Sequence, residues 1–135
     1  MVSDRVAEEL AAAVAMRVPG IVAVYLFGSR ARGDGNADSD IDLAVLAEDR
    51  MEPVGRWKLQ EDLAAMAHHS VDLVDLRQAS TVMRVEVMRD ALVLLDSQPS
   101  LRAAFECFAL SAYARLNEER RGIMQDIRAR GRIYG

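Results

Sequence analysis

An apolar run from Ile21 to Phe27 stops at Gly28-Ser29, and ten residues later a second run, Asp40-Ile-Asp-Leu-Ala-Val-Leu46, opens on two carboxylates one residue apart. Short apolar runs bounded by turn residues read as buried strands. Side chains alternate along a strand, so Asp40 and Asp42 share one face while Ile41, Leu43 and Val45 point to the other. Asp42 is the tightest constraint, because a charge between Ile41 and Leu43 is costly in a buried strand unless a cation compensates it. Two carboxylates on one face suit Mg2+. Gly28 has no Cβ, so a triphosphate can approach the backbone there, and Ser29 offers a hydroxyl and an amide to phosphate oxygens. The simpler alternative is a polar hairpin loop from Gly28 to Gly35, with Asp40 capping a turn and Asp42 on a solvated edge strand. The apolar neighbours of Asp42 weigh against it.

Further carboxylates that could join such a metal site stand in Ser70-Val-Asp-Leu-Val-Asp-Leu76, which supplies two candidates on another strand-like run. Asp72 and Val74 share one face and Asp75 lies on the opposite one, so alternation alone leaves the choice open.

Helix and strand patterns alternate along the chain. Ser3 can cap a helix from Asp4 to about Arg17, stopped by Pro19-Gly20. After the strand from Asp40 to Ala47, a polar loop leads to a helix from Gly55 to Ala67, with Trp57, Leu59, Leu63 and Met66 expected inward. Adjacent His68 and His69 face different directions on a helix and read as its C-terminus, favoured by the helix dipole, rather than as a metal pair. A strand from Val71 to Leu76 follows, then Ser80 capping a helix from Thr81 to Asp90, then a last strand from Ala91 to Leu95. Pro99 starts a helix expected to reach about Arg121, with Leu101, Ala104, Phe105, Phe108, Ala112 and Leu116 as its apolar stripe. The segment after it is basic, is interrupted by Gly122 and Gly131, and carries Ile123, Met124, Ile127, Ile133 and Tyr134. It reads either as a solvated terminus or as a partner-docking tail.

The 135 residues, 51% hydrophobic, fit one domain that buries roughly two-thirds of its unfolded surface. Residues 1–98 are read as the core and 99–135 as a helix and tail for packing or docking. The first stretch holds 17 acids against 10 bases and the second 4 acids against 7 bases, giving −7 and +3 for the overall −4. An acidic core argues against nucleic acid as an obligatory partner. Cys107 cannot form an internal disulfide and is expected as a small core residue. Asp4, Glu8 and Glu9 stand where a signal peptide would be basic and then apolar, and no run approaches a membrane span, so a soluble cytoplasmic protein is expected.

Gly28-Ser-Arg-Ala-Arg-Gly33 followed by Asp40-x-Asp42 resembles the signature of the DNA polymerase β-like nucleotidyltransferase superfamily, and more narrowly its minimal nucleotidyltransferase branch. The resemblance covers Val22 to about Asp75, and Leu76 to Asp96 fits the way these small proteins complete their core. It implies an α/β (α+β) fold, a small mixed sheet of about four strands flanked by helices. It also implies that Gly28 and Ser29 hold the triphosphate of ATP and that Asp40 and Asp42 ligate two Mg2+ ions. In such proteins the third acid sits early in its strand, which favours Asp72 as ligand and as general base for the attacking hydroxyl and leaves Asp75 to cap the turn into Arg77. Arg30 and Arg32 suit the charge developing on pyrophosphate, and pinning the loop to Asp34 or Asp38 is an equal alternative. Larger relatives add a helical domain for a small-molecule acceptor; its absence here points to an acceptor on another protein. The resemblance then leads to the antitoxins of HEPN-type toxin–antitoxin pairs, which transfer AMP from ATP to a tyrosine of an all-helical ribonuclease toxin. A catalytically silent antitoxin, a nucleotidyltransferase for a small molecule and a homo-oligomeric structural protein are the other readings.

Overall fold

The protein is described by a computed structural model covering residues 2–33 and 40–134, with side chains described over 5–33 and 40–128. Helix α1 (Val2–Arg17) leads into β1 (Ile21–Phe27), a single-turn α2 (Ser29–Arg32) and β2 (Ile41–Ala47). Then come α3 (Pro53–Ala67), β3 (Val71–Asp75), α4 (Thr81–Asp90), β4 (Leu92–Asp96) and α5 (Pro99–Tyr134). The strands form one mixed sheet in the order β3-β2-β1-β4. β1 is antiparallel to both β2 and β4, and β2 is parallel to β3. Parallel neighbours need a crossover, which α3 provides.

Each face of the sheet has its own core. Leu10 and Val14 of α1 and Leu59 and Leu63 of α3 pack with Val24, Leu26, Ile41, Leu43, Val45 and Leu73 on one side. Val87 of α4 and Phe105 of α5 pack with Tyr25, Ala44, Leu46 and Leu76 on the other. The register slips between Ile21 and Ala23, and both Val22 and Ala23 join the α4/α5 side. A bulge of this kind breaks strict alternation. Caps set the helix starts: Glu52 accepts from Gly55 N at 2.8 Å, and Ser80 Oγ accepts from Met83 N at 3.1 Å. His68, with φ of 57°, ends α3 in the left-handed conformation.

Six sequence expectations need correcting. Ser3 lies inside α1, which begins at Val2. Ser29–Arg32, expected as turn, forms a helical turn ended by Gly33. Trp57 and Met66 are 56% and 54% exposed, not inward. The inner face of α3 also carries Arg56 and Gln60, which bond the outer C=O and N–H of Leu73 on the edge strand at 3.0 and 2.9 Å; Trp57, one residue from Arg56, is turned away from that face. Cys107 is exposed, half a turn from the buried Phe105. Finally, α5 does not stop near Arg121 but continues through Gly122 and Gly131 to Tyr134. Leu101 and Phe108, expected on its inner stripe, are 43% and 59% exposed, leaving Phe105 and Ala109 buried.

Candidate active site

The first carboxylates stand where three strands meet the loop that follows β1. In the antiparallel β1/β2 pair Asp42 lies opposite Phe27, the residue just before Gly28. In the parallel β2/β3 pair it lies opposite Asp72. Ile41 N donates to Ser70 O at 3.0 Å, which anchors the start of that ladder. Asp42 and Asp72 are therefore held side by side by backbone hydrogen bonds, on the face that α4 and α5 cover further along the sheet. Asp40, exposed, precedes β2 by one residue.

The electrostatics agree with this placement. Asp42 has its pKa raised above the ordinary aspartate value, first by burial and then by the charges of Asp72 and Asp40, while Arg32 opposes the shift. Each of these groups acts on the same carboxyl. Arg32 reaches this position from α2, whose last turn also carries Arg30. Asp34 and Asp38, the alternative partners expected for these arginines, lie outside the described residues.

Gly28 joins the two halves of the motif. Its φ is 77° and ψ −158°, and a Cβ built on it would stand 3.1 Å from Asp42 Cγ and collide with Oδ2. Only glycine allows this approach without strain. Ser29 then opens α2 directly after this glycine.

Asp75 is different. It is 5% exposed, faces the α1/α3 side, and accepts from Met51 N at 2.7 Å and Arg77 N at 3.0 Å. It caps the turn after β3, as expected. Among the described residues, no three His, Cys, Asp or Glu side chains already converge as a metal cage. Mg2+ commonly uses one or two carboxylates together with substrate phosphates and water, so the oxygen donors of Asp40, Asp42 and Asp72 fit it without a preformed cage. A cavity of about 400 Å3 lies elsewhere, lined by residues including Gly20, Asp49, Arg50 and Arg56, where β1 begins and β2 ends. Sequence reading missed two features: the Tyr25 hydroxyl donating to Glu106 Oε2 at 2.7 Å, and the stacking of Arg77 and Arg84 on Phe105. Both join residues remote in sequence, and no local pattern signals them. No helix among the described residues is long and apolar enough to cross a membrane.

Comparison with known proteins agrees with this geometry. The family model "Polymerase beta, Nucleotidyltransferase" matches residues 9–100. Protein adenylyltransferase MntA of Shewanella oneidensis is 39% identical over 112 residues, which is 83% of this chain and 80% of that protein. A chain from the crystal structure of a toxin–antitoxin with AMP-PNP superposes with a TM-score of 0.78 at 35% identity, covering 92% of this chain and 97% of the other. A chain from the structure of tri-AMPylated Shewanella oneidensis HEPN toxin in complex with MNT antitoxin gives 0.76 at 33% identity, covering 92% and 98%. With the family match spanning more than half its length and a relative of this similarity over most of both chains, the protein belongs to the polymerase β nucleotidyltransferase family.

Proposed function

We propose that this chain neutralises a HEPN-type toxin by transferring AMP from Mg-ATP to a tyrosine hydroxyl of that toxin. The observation that carries the reading is Asp42, half-buried and paired in register with Asp72, next to the Gly28-Ser29 turn. Its relatives add the nature of the reaction: one is called a protein adenylyltransferase, and another was solved with an AMPylated HEPN toxin.

In this reading Gly28 and Ser29 bind the triphosphate through close backbone approach and the Ser29 hydroxyl. Asp40, Asp42 and Asp72 would hold two Mg2+ ions, which would supply neutralisation of phosphate charge and polarisation of the α-phosphoryl group. Mutual repulsion among the acids gives these carboxylates a reason to take up cations. Asp72, exposed, accepts the proton of the attacking tyrosine hydroxyl. The tyrosine oxygen forms a bond to the α-phosphorus as the bond to pyrophosphate breaks, and Arg30 and Arg32 offset the charge that develops on the departing pyrophosphate. Residues 1–98 supply this chemistry, and 99–135 supply packing and docking.

The test is incubation of the purified chain with α-labelled ATP, Mg2+ and a HEPN-type toxin. Label is expected on the toxin, at tyrosine, and none without Mg2+. Toxin inhibition without label would make the chain a binding-only antitoxin, and label on a diffusible compound would make the acceptor a small molecule.

A further inference from the structure

Helix α5 carries one apolar face into two environments. Phe105 and Ala109 are buried where α5 packs on α4 and β1. At 3.6 residues per turn, Ile123 and Ile127 lie five turns further along the same face. They are 59% and 56% exposed, and residues 121–128 are exposed throughout. A helical extension interrupted by Gly122 is marginal without tertiary packing.

Nearer the domain, the same helix borders a groove of about 380 Å3 against α4, lined by Arg77, Arg84, Leu101, Ala104, Phe105 and Phe108. The two guanidinium groups stand 5.2 and 4.8 Å from the centre of the Phe105 ring. Backbone carbonyls fix their orientation: Arg77 Nε donates to Ala47 O and Arg84 Nε to Leu76 O, both at 2.8 Å, and Arg84 Nη2 donates to Arg77 O at 3.0 Å. Among the described residues no carboxylate lines the groove. Asp75, near Arg84, already accepts from Met51 N and Arg77 N with its two oxygens. Leu101 and Phe108 leave an apolar rim.

We infer that the face of α5 from this groove to Ile127 is the docking surface for the acceptor protein, the groove taking an acidic side chain and the outer stripe packing on apolar residues beside it. This rests on the function proposed above. Charge selects the occupant: the groove presents the Arg77 and Arg84 guanidinium groups, so a second copy pairing groove to groove would meet like charge, whereas an acidic, apolar-bearing partner complements it.

Two variants change exposed residues only, Phe108→Glu and the double Ile123→Glu/Ile127→Glu. Each is compared with wild type for Mg-ATP affinity, Tm, association with a HEPN-type toxin, and AMP transfer. Unchanged Mg-ATP affinity and Tm are expected, with association weakened about tenfold or more and transfer restored at saturating acceptor, a KM effect with kcat kept. Added salt should weaken the wild-type complex more than the Phe108→Glu one. Association and transfer equal to wild type in both variants would overturn the inference and leave the transferase reading intact. A wild-type complex that forms and is weakened by these substitutions but shows no transfer would keep the inference and sink the reading. A chain that is dimeric alone, becomes monomeric in the variants and binds acceptor as before would make this face a self-interface.

Discussion

The carboxylate of Asp42 occupies the space that a side chain on Gly28 would need. The turn after β1 and the acid on β2 are thereby one unit: the close backbone approach at residue 28 brings Ser29 to the acids, and it is possible only without a Cβ. Gly28→Ala should cost about 1–3 kcal/mol through left-handed strain and this collision, and should lower Mg-ATP affinity further than stability alone explains. Ser29→Ala, which keeps the backbone, should weaken Mg-ATP binding by about 1 kcal/mol, near fivefold in Kd. Calorimetry with unchanged affinity in both variants would remove the phosphate-binding role.

Asp42→Asn should reduce AMP transfer by roughly 10²-fold or more, since it removes a negative ligand with little change of shape. In EDTA the same variant should be more stable than wild type. The sign follows from a folded-state pKa raised by burial, Asp72 and Asp40. Below the ordinary aspartate range both states are protonated and nothing is lost; as pH rises through the raised pKa, the native state must ionise an unfavourably placed acid and stability falls. The Tm advantage of Asp42→Asn should therefore grow across that window and then level off, and Mg-ATP should reverse it by stabilising wild type alone. Thermal unfolding against pH that showed no advantage in EDTA would contradict this account.

Asp72 and Asp75 should separate cleanly. Asp75→Asn leaves one acceptor oxygen for two backbone donors in a buried turn and should destabilise by about 1–3 kcal/mol, with transfer per folded molecule near normal. Asp72→Asn, at an exposed position, should leave Tm nearly unchanged and lower transfer. Paired Tm and single-turnover measurements with the two patterns exchanged would reassign the third acid.

Tyr25 ties the sheet to α5. Its hydroxyl donates to Glu106, Arg102 bridges Glu106 and Asp96 at 2.9 Å each, and the phenol pKa is raised above the ordinary tyrosine value, first by burial and then by Glu106. Tyr25→Phe should cost about 1.5–3 kcal/mol, the range for a hydrogen bond to a charged acceptor. Mg-ATP affinity should stay within twofold or so, because the network involves none of the motif acids. A denaturant midpoint equal to wild type would refute the anchoring role.

Truncation after Arg121 should leave Mg-ATP binding and Tm near wild type, because the removed part of α5 has no buried residue among those described. Association with the toxin should weaken. Equal association in both forms would confine docking to the α4/α5 groove.

The strands and their carboxylates were legible in the sequence because apolar runs, turn residues and period-two alternation are local properties. Ile21–Phe27 has the expected ends, and Asp40 and Asp42 have the expected apolar neighbours. Alternation could not choose between Asp72 and Asp75 as neighbour of Asp42, since it assigns them to opposite faces without saying which face meets which. The parallel register of β2 with β3 decided that. Trp57 and Cys107 fit apolar patterns yet face solvent, because burial depends on which side of a helix a distant strand occupies. Arg77, Arg84 and Phe105 come from three separate segments, and their stacking exists only once α5 lies beside α4. What the chain determined alone was each segment's conformation and chemistry; which segments met was left to tertiary packing, because contact energy arises between residues that the sequence keeps apart.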